Sequence, residues 1–400
     1  MTPTPDEPFG LRFSDEEFER RHRLLRNAMD EHGLDCLLLA GSPGYMSGGH
    51  GAFWASGYPE RLGVVSYVVF PRDGEPTLVI PFAGSHVETA RRASFVSDVR
   101  DSAHGDYTSV IADRLMELDI STGDVGVTEL DARYGLGVPH ELLSGLRERL
   151  PGVEIRATRG LLEPLMAVKS PEEIAAIEQA SVICDEVLDE LAARVEPGLR
   201  DYEVRAMIGG AIMARRGDLA FAIVGSTPMA DPSFAFPFAI ESARTIRPGD
   251  VVINEFGARY KGYEGQTGRP LTIGPPTPEF RDLWTIATQG AFALEEALRP
   301  GATAEDIRIA GKRVFDDAGR VIAAPMLHTL GICNSTPVVF LDFVVGDPGF
   351  EFQEGMVVSL QSNPASPDRR TGLFMGNDYV VTSSGCRRLS TLPFDVIEIV

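Results

Sequence analysis

Glu255 and Gln266 stand eleven residues apart in VVINEFGARYKGYEGQTGRPLTIG, residues 251–274, which reads as two short strands with a Gly-rich connection. A glutamate inside an apolar run is rare unless it is paired or functional. Burial there would raise its pKa toward the range useful for proton transfer. His328 sits in a second apolar run, PMLHTLGI, either as a satisfied core group or as an acid–base group. The spacing of Glu255 and Gln266 suits a pair of metal-binding carboxylates, yet one position holds a neutral amide. Gln361 in VSLQSNP and Asn377 in MGNDYV are two further amides, each with donors and an acceptor. Glu264 and Glu241 are carboxylates near the same stretch; each is a surface charge, a group for a cationic substrate or a second acid–base group.

The elements that must position these residues fall into two parts. FSDEEFERRHRLLRNAMDEHG opens with a capping box, Ser14 and Glu17, and stops at Gly33, so a helix is expected between them. DCLLLAG reads as a buried strand, and GVVSYVVFPRDGEPTLVIPF as strand, Asp-Gly turn, strand. This half is α/β, over residues 1–160. Ser170, Pro171 and Glu173 then form a second capping box. Ile174, Ile177, Ser181, Cys184, Leu188 and Leu191 form one stripe of a long helix. Long helices followed by strands rich in Val, Ile and Phe make residues 161–400 α+β.

The chain has 400 residues and a net charge of −21. That charge argues against nucleic acid and against anionic membrane surfaces. Cys36, Cys184, Cys333 and Cys386 lack CxxC spacing, so free thiols in a reducing cytoplasm are expected. No secretory leader and no membrane-spanning run is read in the sequence.

VKSPEEIAAI, RPGDVVINEFGARYKGY, HTLGICNSTP, EGMVVSLQSNP and NDYVVTSSGCRRLS occur in this order over about residues 12–395. Together they resemble the creatinase/aminopeptidase-P family, in its metal-free branch similar to creatinase and ectoine hydrolase. The resemblance implies a creatinase-type N-terminal domain, a pita-bread catalytic domain and a homodimer. Peptidases of the family hold two divalent ions with two Asp, one His and two Glu. By resemblance these positions fall on Glu255, Gln266, His328, Gln361 and Asn377, so most of the anionic ligands are gone. Two further substrate-side positions fall on Ser335–Thr336, and a family histidine falls on Phe238. Arg269 matches a family arginine, poised between a structural ion pair and substrate contact.

The expected function is therefore a metal-independent hydrolase that cleaves a C–N bond of a small nitrogen-containing metabolite, with no cofactor. Glu255 would attack the carbon or activate water, and His328 would shuttle the proton. Gln266, Gln361, Asn377, Arg269, Phe238, Glu241 and Glu264 would meet the substrate. Trp54, Tyr58 and Arg61, in the loop GGHGAFWASGYPERLG, would form a lid donated to the partner's cavity. The alternatives are a metallo-aminopeptidase of the Xaa-Pro type and a non-catalytic binding relative.

Overall fold

The computed structural model describes residues 12–41, 50–59, 64–128, 138–158, 160–240, 242–332 and 336–400. Arg61, Glu241, Cys333 and Ser335 lie outside them. Among the described residues, no helix is long and apolar enough to cross a membrane. The chain divides into two compact units at Met166/Ala167, a little beyond the expected residue 160.

In the first unit, six strands form one mixed sheet. Their order is Asp98–Asp101, Thr77–Ile80, Ser66–Pro71, Cys36–Gly41, Thr122–Val127 and Gly152–Ala157. The strand Cys36–Gly41 pairs antiparallel with one neighbour and parallel with the other. The helix Asp15–His32 starts and stops where expected, with Ser14 Oγ accepting from the Glu17 amide and Gly33 in the left-handed region. The Glu17 carboxylate is engaged by Arg20 and Arg21.

The expected place of Trp54 in a lid is corrected here. Residues 51–56 form a short helix rather than an open loop, and Trp54 is fully buried in it. Arg21 donates to the Trp54 carbonyl at 3.2 Å, and its guanidinium lies 5.7 Å from the indole ring. A Trp ring committed to this core contact cannot reach out to another subunit's site. Tyr58 is half-buried beside it.

Among the described residues the second unit has two large sheets, each backed by a helix pair, and a small two-stranded sheet of Val321–Ile322 with Pro364–Ala365. The first joins Ile397–Ile399, Leu271–Ile273, Asp250–Tyr260 and Asp218–Pro228, with Tyr263–Thr267 also paired on Asp250–Tyr260. The helices Pro171–Arg194 and Asp201–Ala214 cover its outer face through a core that includes Val252, Phe256 and Ala258. The Pro171 helix begins at a complete Ser170–Glu173 capping box. It packs so closely that a Cβ at Gly265 would lie 2.6 Å from the Ala180 carbonyl carbon and 2.9 Å from Ser181 Cα. The second sheet runs Val344–Val345, Val338–Val339, Leu327–Thr329, Val357–Ser362, Met375–Thr382 and Gly385–Arg388. The helices Pro278–Ala297 and Ala304–Asp317 cover its outer face, against Leu327, Val358, Leu360 and Tyr379. Because side chains alternate along a strand, every residue paired with one of these outer-face positions is also turned outward. The intervening residues face inward.

Candidate active site

That alternation selects the inner residues. On the first sheet, Phe256 pairs with Thr267 and faces the helices; Glu255, Gly257 and Arg259 therefore face inward, with Glu264 and Gln266 opposite them. On the second sheet, Leu327 pairs with Leu360 on the helix side, so His328, Ser359 and Gln361 face inward. The two inner faces meet in one hydrogen-bonded group. Gln266 Nε2 donates to Glu255 Oε1, and Gln361 Nε2 donates to the same oxygen at 3.3 Å. Gln361 Nε2 also lies 2.9 Å from His328 Nε2, while His328 Nδ1 lies 3.0 Å from the Thr329 carbonyl. A carbonyl can only accept, so Nδ1 carries the proton and Nε2 keeps its lone pair.

Burial sets the charge of this group. The Glu255 side chain is pushed up to about 8 by loss of solvent, with the Gln266 hydrogen bond opposing the shift. Burial holds His328 below its ordinary value, against the contact to the Thr329 carbonyl. At neutral pH the site therefore presents a protonated acid and a neutral imidazole. Two N–H donors address Oε1, which leaves the acid proton on Oε2.

Asp378 fixes the strand that carries Gln266. Its Oδ2 accepts from the Gln266 backbone amide at 2.7 Å and from Ser181 Oγ at 2.9 Å. Tyr263 at the start of that strand donates to Glu173 at the head of the Pro171 helix. Sequence reading missed both ties, which cross long stretches of chain.

Three expected contacts are corrected. Asn377 pairs with Leu360 and shares its outward face, where its Oδ1 accepts from Arg269 Nη2 at 2.5 Å. Arg269 is likewise buried away from the inner face. Its Nη1 donates to the carbonyls of Gly268 and Gly376 at 2.8 and 2.9 Å, and its guanidinium lies 5.6 Å from the Phe394 ring. It is a clamp between strands, not a substrate contact. Phe238 is 80% exposed. Pro237 and Ala235 of its segment are seated against Gly225 and Gly372, and the ring that turns inward is Phe236, 5.3 Å from Phe374.

The residue that faces Gln361 across the strands is Gly376. Two ligands of one ion must share a face, so the fifth family position falls there and offers no side chain. Glu255, Gln266, His328, Gln361 and Gly376 supply one carboxyl, one imidazole and two amides. Two divalent ions need anionic oxygens or imidazoles to replace their hydration. This donor set does not fit such a pair, and among the described residues no cluster of three or more His, Cys, Asp or Glu side chains could hold an ion.

Glu264 is fully buried on the same inner face. Among the described residues neither of its oxygens has a hydrogen-bond partner, and Arg259 Nη2 stands 3.7 Å away. Burial pushes it up to about 8, Arg259 opposes this, and Asp378 and Glu255 add to it. The unfolded chain ionises near 4.5 and the folded chain near 8, so the folded state holds the extra proton between these values. Stability linked to Glu264 is complete below about pH 4.5 and is lost toward pH 8, by about 1.4 kcal/mol per pH unit at most. In Glu264→Gln this loss is absent. The melting temperature of the variant minus that of the parent should rise from about pH 5 to about pH 8; a constant difference would refute a raised Glu264.

The comparisons agree with this architecture. Residues 175–383 match the model of metallopeptidase family M24, and residues 21–167 that of the creatinase/prolidase N-terminal domain. The chain belongs to metallopeptidase family M24, with the pita-bread fold behind a creatinase-type N-terminal domain. It is 27% identical over 392 residues to a probable dipeptidase PepE of Mycobacterium tuberculosis, covering 97% of this chain and 98% of that one. It is 22% identical over 253 residues to an Xaa-Pro dipeptidase of Pyrococcus furiosus, covering 63% and 71%. Dipeptidase PepE from Mycobacterium ulcerans superposes with a TM-score of 0.75 at 25% identity, over 97% of this chain and 100% of that one. X-Pro aminopeptidase from Thermotoga maritima superposes at 0.80 with 19% identity, over 94% and 99%. These names favour the peptidase alternative over a creatinase-type hydrolase, and they stand against the expectation that the chain is not a true peptidase.

Proposed function

We propose that the chain hydrolyses a C–N bond of a small amide, amidine or cyclic amidine without a divalent ion pair. The observation that carries this reading is the geometry on the inner faces, Glu255 and His328 joined through Gln361; burial pushes the carboxyl up to about 8 and holds the imidazole below its ordinary value. Water attacks the carbon while His328 Nε2 takes its proton. Glu255 passes the proton on Oε2 to the leaving nitrogen as the C–N bond breaks, and Gln266 and Gln361 hold the other oxygen still. This reverses the expected division of labour. A carboxyl that keeps its proton to about pH 8 serves as the acid, and the imidazole as the base. The rate should accordingly fall as pH rises through about 8.

The dipeptidase names of the relatives favour a second reading, an Xaa-Pro-type peptidase, whose substrate is also an amide. Elemental analysis and chelation separate the two. The purified protein should carry no stoichiometric Mn, Fe, Co or Zn, and its turnover in a screen of amides, cyclic amidines and Xaa-Pro dipeptides should survive EDTA. One or two equivalents of metal, with activity lost on chelation, would overturn the proposal in favour of the peptidase.

A further inference from the structure

Gly376 lacks a side chain, and the space beside it is taken. A Cβ built there would lie 3.0 Å from Phe374 Cε1 and 3.3 Å from its Cζ, with Gln361 Cγ at 3.7 Å. Gly268, bridged to Gly376 across the strands, would place a Cβ 2.6 Å from the same Cε1. The Phe374 ring thus lies over two facing glycines, beside Gln361. It is fully buried within a cluster that includes Leu283, Trp284 and Ile253, and Phe236 packs against it. Close packing around the ring is that of protein interiors generally.

We propose that Phe374 is the residue that closes the family's metal cavity: its ring holds the volume that a fifth ligand at position 376 requires. The inference rests on the metal-independent reading of the site. The loss of ion binding then has two parts, the exchanged ligands and the aromatic ring, and restoring the carboxyl groups alone does not reverse it. A longer side chain at 376 would be forced against the ring, an overpacking that destabilises a closely packed site.

The test compares two full-length variants. One carries Glu255→Asp, Gln266→Asp, Gln361→Glu and Gly376→Glu; the other carries these and Phe374→Ala. Each is checked for fold by circular dichroism and titrated calorimetrically with Mn²⁺. The variant without the ring should bind the ion ~10–100-fold more tightly than the variant that keeps it. Equal affinity, or no binding by either folded protein, overturns the proposal. A smaller cycle guards against failure to fold. Gly376→Ala should lower the melting temperature in the parent and much less in Phe374→Leu, whereas additive losses overturn the proposal. The metal content of the unmodified protein tests the underlying reading separately, because it does not depend on Phe374.

Discussion

Glu255→Gln lowers kcat by ~10²–10⁴-fold with the fold intact, the range that a positioned acid or base contributes. The fold survives because Glu255 is already uncharged at neutral pH, so an amide of the same shape replaces an acid of the same charge. Its Oε1 still accepts from Gln266 and Gln361, but no proton remains for the leaving nitrogen. His328→Ala should be similarly severe, since Nε2 is the unprotonated ring nitrogen of the group, with its lone pair accepting from Gln361 until the substrate water replaces it. Gln361→Ala should act through KM more than kcat, because Gln361 bridges the two reacting residues without exchanging a proton. Steady-state kinetics on the three variants, with melting measured for each, decides the matter. Near-parental kcat in Glu255→Gln would move the catalytic carboxyl elsewhere, and Glu264, on the same inner face, is the first to test.

Arg269→Ala destabilises the C-terminal unit by about 2–5 kcal/mol, the cost of emptying a large buried side-chain site and losing charge-assisted hydrogen bonds. Three acceptors lose a charged donor at once, the carbonyls of Gly268 and Gly376 and the Asn377 side chain, although the Gly268 carbonyl keeps the Gly376 amide at 3.2 Å and the Gly376 carbonyl keeps Thr267 Oγ1 at 3.4 Å. The position is fully buried, and burial already lowers the guanidinium to about 10, with Arg388 adding to the shift. Arg269→Lys should not rescue, because an ammonium cannot span the same fork of acceptors. The measurement is denaturant unfolding of both variants. A variant that unfolds like the parent but binds substrate weakly would show that the arginine contacts substrate after all.

The sequence by itself determined the two-part architecture, the helix starts and the chemical character of the site. Those signals are local. A Ser-x-x-Glu cap, a 3.6-residue stripe and an apolar run each act within one turn or strand, so residues 14–33 and 170–194 are legible without any partner. The poverty of anionic ligands was legible too, because residue type decides what can neutralise an ion. Only the tertiary structure decided which side chains face one another. Asn377 and Gly376 are adjacent in sequence, but the pairing of Leu360 with Asn377 and of Gln361 with Gly376 sends one outward to Arg269 and leaves the other inside, since a one-residue step along a strand reverses its face. The same rule separates Gln266, inside, from Arg269, outside. Trp54 was read as a lid because aromatics in a Gly-rich stretch resemble a binding loop; its burial follows from Arg21, a contact across 33 residues. The protonation of Glu255 was likewise settled by tertiary structure, because desolvation depends on what the fold packs around a group and not on its neighbours in the chain.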